Sequence, residues 1–483
     1  MIQPVQDLVA SLAYARPELA LVAYALIAVL IGAWYGEKAY GLISTFAVLT
    51  LIGAGVLAVL DEPRAPVELF QGAMVSDGVA VVAKVLIAFA AAATLWIGAD
   101  HFGRVNDKRF EFPVLAVLAV LGMFVMVSAR DLITLYVGVE LQSLALYVLA
   151  AWRRDDARSS EAGLKYFVLS ALSSGLLLFG ASFIYGFTGS VRFDSIAGAV
   201  GDTGSIGVVF GLVLVLCALG FKMSAAPFHM WTPDVYEGAP TPMTAFFAAA
   251  PKVAAVALMA RVLYEPFGEM AHQWQQVVAA LAAISIVWGS FAALIQTNLK
   301  RLMAYSSIGN MGFALMGLAS GQTEGASASL IYLALYLPAT IGVFALILAM
   351  RRDGQPAENV DDLAGMAQRR PWMAALFTML LFSIAGVPPF AGFMGKLVVF
   401  RAALDGGLAW LAILGAIGAV VAAAYYLRLV AAIWFKPAAA ALQPASSAVV
   451  ITATAAAALT FPVLVIALGM IQTWAETAVR GSL

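Results

Sequence analysis

The chain has 483 residues, 63% hydrophobic and 11% charged, with a mean hydropathy of +0.93. Soluble domains carry roughly 25% charged residues, so this composition excludes an ordinary soluble enzyme and points to one membrane domain. A formal charge of −1 offers neither a basic surface for nucleic acid nor an acidic tail for a basic partner.

About 20 mostly apolar residues span a bilayer. In chain order the sequence predicts spans at 17–35, 39–60, 78–99, 112–128, 131–151, 162–187, 205–230, 240–264, 275–296, 301–319, 326–350, 372–401, 408–435 and 447–471. The fold expected is therefore all-α and polytopic, with about fourteen transmembrane helices. The amino-terminal MIQPVQDLVASLAYARPELA lacks the basic region, apolar core and small-residue site of a signal peptide, so it is expected to be retained. Ala129-Arg130-Asp131 reads as a tight turn between the fourth and fifth spans.

Positive residues in short loops mark the cytoplasmic side. Alternate loops hold Lys38; Arg104, Lys108 and Arg109; Arg153, Arg154 and Arg158; Lys300 and Arg301; Arg351, Arg352, Arg369 and Arg370; and Lys436. The opposite set, with both termini, has Arg16, Arg64, Arg130, Arg192, Arg401 and Arg480. Both termini are thus expected in the periplasm. The basic clusters read first as topology signals, with binding patches as the alternative, and the sequence alone builds no function on them.

An ionisable group at mid-membrane costs about 2.5–3.5 kcal/mol on insertion scales and asks for a reason. Glu140 lies in LITLYVGVELQSLALYVLA, Lys165 in EAGLKYFVLSALSSGLLLFG, Lys222 in LVLCALGFKMSAAPFHMW, Lys252 in MTAFFAAAPKVAAVALMA and Lys396 in IAGVPPFAGFMGKLVVF, with Lys84 as a sixth. Lysine suits proton transfer because desolvation disfavours its ammonium form, and a carboxylate moving nearer or farther can hold or release the proton. Arginine cannot be deprotonated this way. Snorkelling of a long side chain to the headgroups is the alternative, strongest for Lys84 and Lys165 near segment ends. Glu161 reads as an i,i+4 partner of Lys165.

Pro227 and the run Gly386-Val387-Pro388-Pro389 fall inside predicted spans and are expected to break two helices. Irregular backbone survives at membrane depth only where protein or a hydrated cavity surrounds it. SAAPF at 224–228 and GVPPF at 386–390, each beside a lysine, suggest an internal repeat with ion sites at the interruptions. His229, after the first break, is suited to relay a proton or to satisfy freed carbonyls. Tyr305, Ser306, Ser307, Asn310, Tyr336 and Thr340 suit either hydration between the halves or helix packing.

No G-x-x-x-x-G-K-[ST] or G-x-G-x-x-G pattern occurs, so no nucleotide is expected to bind this chain alone. The single Cys217 cannot hold an iron–sulfur cluster, and His101, His229 and His272 argue against a bis-histidine haem.

Taken together, FKMSAAPFHMWTPDVYEGAPTPMTAFFAAAPKVA, YVGVELQSLALYVLAAW, EAGLKYFVLSALSSGLLLFG, NLKRLMAYSSIGNMGFALMG and SIAGVPPFAGFMGK resemble the antiporter-like membrane subunits of respiratory complex I, over roughly residues 100–430. The resemblance implies two inverted five-helix repeats, at 100–264 and 275–435, after three N-terminal helices in 1–99 and before a C-terminal helix at 447–471. It also implies two half-channels joined by a polar axis: Glu140 modulating Lys222, Lys252 as central relay, Lys396 at the exit, Lys165 toward the cytoplasmic end and His229 between Lys222 and Lys252. No catalytic residue, cofactor or metal is implied in this chain, since flavin, iron–sulfur clusters and quinone reside in other subunits of the family's complexes. Other complex I membrane subunits and lipid are the partners implied, in a bacterial inner membrane. No long lateral helix is expected after the last span.

Two further readings stay open. A multisubunit cation/proton antiporter of the Mrp type shares the lysine axis, and the closer match of the 221–254 run to complex I members separates them. A membrane scaffold with buried charges that merely pair with partner subunits is the other.

Overall fold

The computed structural model describes residues 11–201, 205–438 and 440–483. The first ten residues of the amino-terminal stretch lie outside them. Apolar helices follow one another as α1 (Arg16–Tyr35), α2 (Tyr40–Leu60), α3 (Gly78–Arg104), α4 (Glu111–Ser128), α5 (Leu132–Ala150), α6 (Ala157–Thr188), the short α7 (Phe193–Val200), α8 (Ile206–Met223), α9 (Trp231–Gly238), α10 (Thr241–Tyr264), α11 (Ala271–Leu294), α12 (Leu299–Leu318), α13 (Thr323–Ala349), α14 (Pro371–Ala385), α15 (Ala391–Asp405), α16 (Ala409–Phe435), α17 (Ser447–Ala458) and α18 (Leu468–Arg480). With α8/α9 and α14/α15 each counted as one interrupted path, the fourteen predicted segments all have a helical counterpart among the described residues. The only strands among them form the β1 (Val67–Leu69) and β2 (Met74–Ser76) hairpin and a two-residue pair at 351–356.

The charged tripeptide 129–131 does separate two helices. Asp131 caps α5, its Oδ1 accepting from the Ile133 and Thr134 amides at 2.8 and 2.7 Å. Gly122 and Gly138 let α4 and α5 touch, since a Cβ at Gly122 would lie 2.4 Å from the Gln142 amide nitrogen.

The loops segregate into the two sets that the charges predict. On one side Arg109 donates to the Trp152 carbonyl, the Leu299 amide to Glu358 and the Gln443 amide to Arg351. On the other, the Arg130 amide donates to Ala73, Arg192 to Gln71, the Phe70 amide to Ser11 and the Val79 amide to Ser482. Both ends of the described chain therefore share the face of the β hairpin.

At the centre stand α10, in which every residue is buried, and α13, buried along nearly all its length. Peripheral helices instead turn large apolar side chains outward, among them Leu26, Leu30, Trp34, Ile413, Val420 and Ile466, an outer surface suited to lipid rather than water.

Two differences from the sequence expectation, and one choice that it left open, have physical causes. The seventh span does not stop at 230: after the break it resumes as α9, whose Trp231, Val235 and Tyr236 are buried although Thr232, Asp234 and Glu237 make the segment look like a loop. The last span is also interrupted, at Phe461-Pro462, where Phe461 leaves the helical region (φ −163°). Finally, Lys84 does not snorkel. Its ammonium lies 2.6 Å from Glu18 of α1, with both side chains buried.

A second buried network joins α3 to α10. Arg261, fully buried, donates from Nη2 to Asp77 Oδ1 at 2.8 Å, from Nε to the Val127 carbonyl at 3.1 Å and from Nη1 to Glu265. Removing one member of a buried ion network strands the others without a counter-charge, a loss of about 3–5 kcal/mol. Arg261→Met is accordingly expected to lower the amount of folded chain in membranes, whereas Arg401→Met, at an exposed pair, should not; quantitative immunoblotting checks both.

Candidate functional site: a buried lysine axis

Ionisable side chains converge at three buried centres. At the first, Glu140 and Ser143 lie three residues apart on α5, and Ser170 and Ser174 four apart on α6, so each pair shares a helix face. Lys222 of α8 donates to Ser143 Oγ and Ser170 Oγ, both at 2.7 Å, while Ser174 Oγ donates to Glu140. The carboxylate and the ammonium thus form no direct ion pair; each is held by serines of α5 and α6, which line the gap between them as a ladder.

The second centre is built on the first helix break. Proline at 227 prevents α8 from continuing, and Ser224 turns the chain at a φ of +64°. The Lys252 ammonium, from α10, accepts this geometry as a partner: it donates to the Met223 carbonyl at 3.1 Å and to Ser224 Oγ, and it lies 5.2 Å from the Trp231 ring centroid. Met223 is the last residue of α8, so the cation sits at the negative end of a half-helix dipole.

The third centre repeats that arrangement with a different chain order. Lys396 donates to the Ala385 carbonyl at 2.7 Å, at the C-terminal end of α14, and lies 4.9 Å from the Phe313 ring centroid. Gly386 permits the turn with a φ of +84° and the approach as well, because a Cβ there would lie 2.9 Å from Lys396 Cδ. Lys222, Lys252 and Lys396 are each at least 95% buried.

Between the second and third centres runs a polar stretch through α9, α12, α13 and α16. Ser306 and Tyr426 hydrogen-bond, the Asn310 amide donates to the Ser306 carbonyl at 2.8 Å, and Tyr332 donates to Asn310 Oδ1 at 2.8 Å. The Thr232 hydroxyl is buried without a hydrogen-bond partner, and those of Tyr236 and Tyr336 are buried around Ser307, in contact with it but without well-formed hydrogen bonds. Thr340 bonds only one turn back, to the Tyr336 carbonyl, and Tyr305 is half-buried.

Two expected members stand apart. Lys165 is 40% exposed and pairs with Asp234 at 2.7 Å as well as with Glu161 at 2.6 Å; Asp234 also receives Arg301 at 2.6 Å. It belongs to a charged network at the end of α6. His229 is half-buried against Trp288, 5.7 Å between ring centroids, beside exposed Pro227 and Met230, and its Nδ1 has no partner. No hydrogen bond joins it to Lys222 or Lys252. The serines, Tyr236, Tyr332 and Tyr426 are the axis residues that sequence reasoning did not single out individually or at all, save Ser306 and Ser307. No group of three or more His, Cys, Asp or Glu side chains among the described residues is placed to hold a metal ion.

The sequence and the fold have counterparts among known proteins. Residues 129–422 match the family described as NADH:quinone oxidoreductase/Mrp antiporter, transmembrane, and the chain belongs to that family. Among its relatives is NADH-quinone oxidoreductase subunit N of Parvibaculum lavamentivorans, 55% identical over 404 residues that cover 83% of this chain and 82% of the relative. A chain of respiratory complex I from Thermus thermophilus aligns with a TM-score of 0.82 at 32% identity, covering 96% of this chain and all of that one. A chain of the Mrp complex from Dietzia sp. reaches 0.86 at 20% identity over 98% of each, which speaks for the fold alone.

Proposed function

We propose that the chain is the subunit N type of membrane subunit of a proton-pumping NADH:quinone oxidoreductase, in a bacterial plasma membrane beside other membrane subunits of that complex. The observation that carries the mechanism is the placement of Lys252 and Lys396 on the last carbonyls of two interrupted helices. A cation held by a half-helix end is stabilised there by the dipole, whereas the neutral amine left after proton loss still donates to the carbonyl but no longer gains from that charge–dipole interaction. The protonated and neutral forms therefore differ in local energy, which is what a conformational signal needs in order to drive a proton onward.

In this reading Glu140 and Lys222 gate one end, Lys252 relays and Lys396 releases. Lys165 tunes the charged mouth, and His229 serves at the lateral rim rather than between the lysines. Buried hydroxyls with incomplete hydrogen bonding, such as those of Thr232, Tyr236 and Tyr336, are the kind of group ordered water satisfies, which supports proton transfer between Lys252 and Lys396. Residues 100–264 and 275–435 act as two inverted repeats, after the three helices of 1–99, and the loop set rich in Lys and Arg faces the cytoplasm, leaving both termini periplasmic. Redox chemistry belongs to partner subunits.

The antiporter alternative has the shared family description and a low-identity Mrp likeness behind it, while the 55% identical relative is an NADH-quinone oxidoreductase subunit N. Deleting the gene and assaying the host's membranes separates the two: NADH:quinone turnover with its proton uptake should disappear while sodium/proton exchange in everted vesicles stays intact. Loss of exchange with intact turnover would reverse the assignment.

A further inference from the structure

A cavity of about 580 Å³ opens between the C-terminal ends of α3 and α13 and the N-terminal end of α17, away from the lysine axis. Arg104, Arg153 and Arg351 all line it, with His101. Cations at helix C-termini are ordinary, yet here three guanidiniums from separate segments turn onto one space. Asp100 also lines the cavity and pairs with Arg104 at 3.3 Å, so that this arginine is already balanced and the excess charge is that of Arg153 and Arg351. Arg153 and Arg351 form no ion pair with a described carboxylate. The side-chain bond of Arg351 runs to the Gly354 carbonyl, and burial, then the Arg153 guanidinium, lower its proton affinity. A smaller adjoining cavity contains three acids: Glu358 is paired with Lys300 at 3.1 Å and Glu237 with Arg301 at 3.1 Å, while Asp156 caps α6 by accepting from the Arg158 amide at 2.9 Å.

The remaining walls favour an anion too. Ala445, Ser446 and Val449 bring the N-terminal end of α17, with its positive dipole, to the cavity. The Gln443 amide, donating to the Arg351 carbonyl at 2.8 Å, fixes that segment against the arginines. Leu348, Ala349 and Val105 supply apolar surface on the membrane side.

We propose that this cavity binds a phosphate group, carried by the headgroup of an anionic phospholipid whose chains run along the outward faces of α3 and α17, where Phe89, Trp96 and Ile451 are exposed. Paired guanidiniums match phosphate oxygens in charge and geometry, and basic pockets between membrane helices are suited to anionic headgroups.

The test uses the whole purified complex, delipidated and titrated with phosphatidylglycerol, retained lipid being read by mass spectrometry. R153Q/R351Q should hold it about tenfold more weakly than wild type, whereas R153K/R351K should keep much of the binding. Inorganic phosphate should compete only weakly; competition equal to that of the lipid would keep the anion site but assign it to free phosphate. Equal retention by wild type and R153Q/R351Q overturns the proposal. If the glutamine variant does not assemble, a photoactivatable phosphatidylglycerol on wild type decides: labelling within 351–356 and 443–449 supports the site, and labelling elsewhere only overturns it.

Discussion

Replacing Lys252 with methionine is expected to leave the assembled complex at its normal amount while NADH:quinone turnover and proton uptake fall together, by about tenfold or more, equivalent to ~1.4 kcal/mol on the limiting step. Methionine keeps the length and apolar stem that fill the space between α8 and α10, so packing survives. What disappears is the ammonium on the Met223 carbonyl and Ser224 Oγ. A scaffold role predicts the opposite pattern, with the complex lost and the residual molecules fully coupled. Immunoblotting together with both activities in the same membranes distinguishes them.

The second large effect concerns the serine ladder. Glu140→Gln removes a charge but keeps the shape and the Ser174 contact, and should lower turnover and proton uptake by about tenfold with normal abundance. Ser143→Ala with Ser170→Ala leaves both charges in place and deletes the two hydrogen bonds to Lys222, each worth about 1.5–3 kcal/mol when the partner is charged. The double serine variant should therefore impair pumping although no titratable group has changed. Wild-type pumping in it would mean that Glu140 and Lys222 communicate without the ladder.

Much of this site was legible because lipid makes charge conspicuous. Lys222, Lys252, Lys396 and Glu140 stand out within apolar runs, and Pro227 and Pro388-Pro389 announce interruptions that no continuous helix tolerates. Charges near segment ends were harder. Glu18 starts α1 and Arg261 ends α10, positions where an exposed interfacial residue is the usual explanation, yet each is buried in an ion pair with a partner 66 or 184 positions away. For the same reason the sequence left Lys84 open between a buried charge and a snorkelling side chain. The ladder was hidden differently: Ser143, Ser170 and Ser174 are small residues that pack helices everywhere in membranes, and only the tertiary fold turns three of them toward Lys222 and Glu140. Likewise the shared motif of a lysine on a half-helix end could not be read from spacing, because Lys252 comes from the following helix and Lys396 from the second half of its own.

The central claim is a single serial path through Lys252 and Lys396, and its most direct test is proton uptake per assembled complex in vesicles carrying K252M, K396M and both together. Each single variant should lower uptake to about a tenth or less, and the double should be no worse than the more severe single, as expected for residues acting as one unit. Normal uptake in either single variant, at normal abundance, would contradict the account.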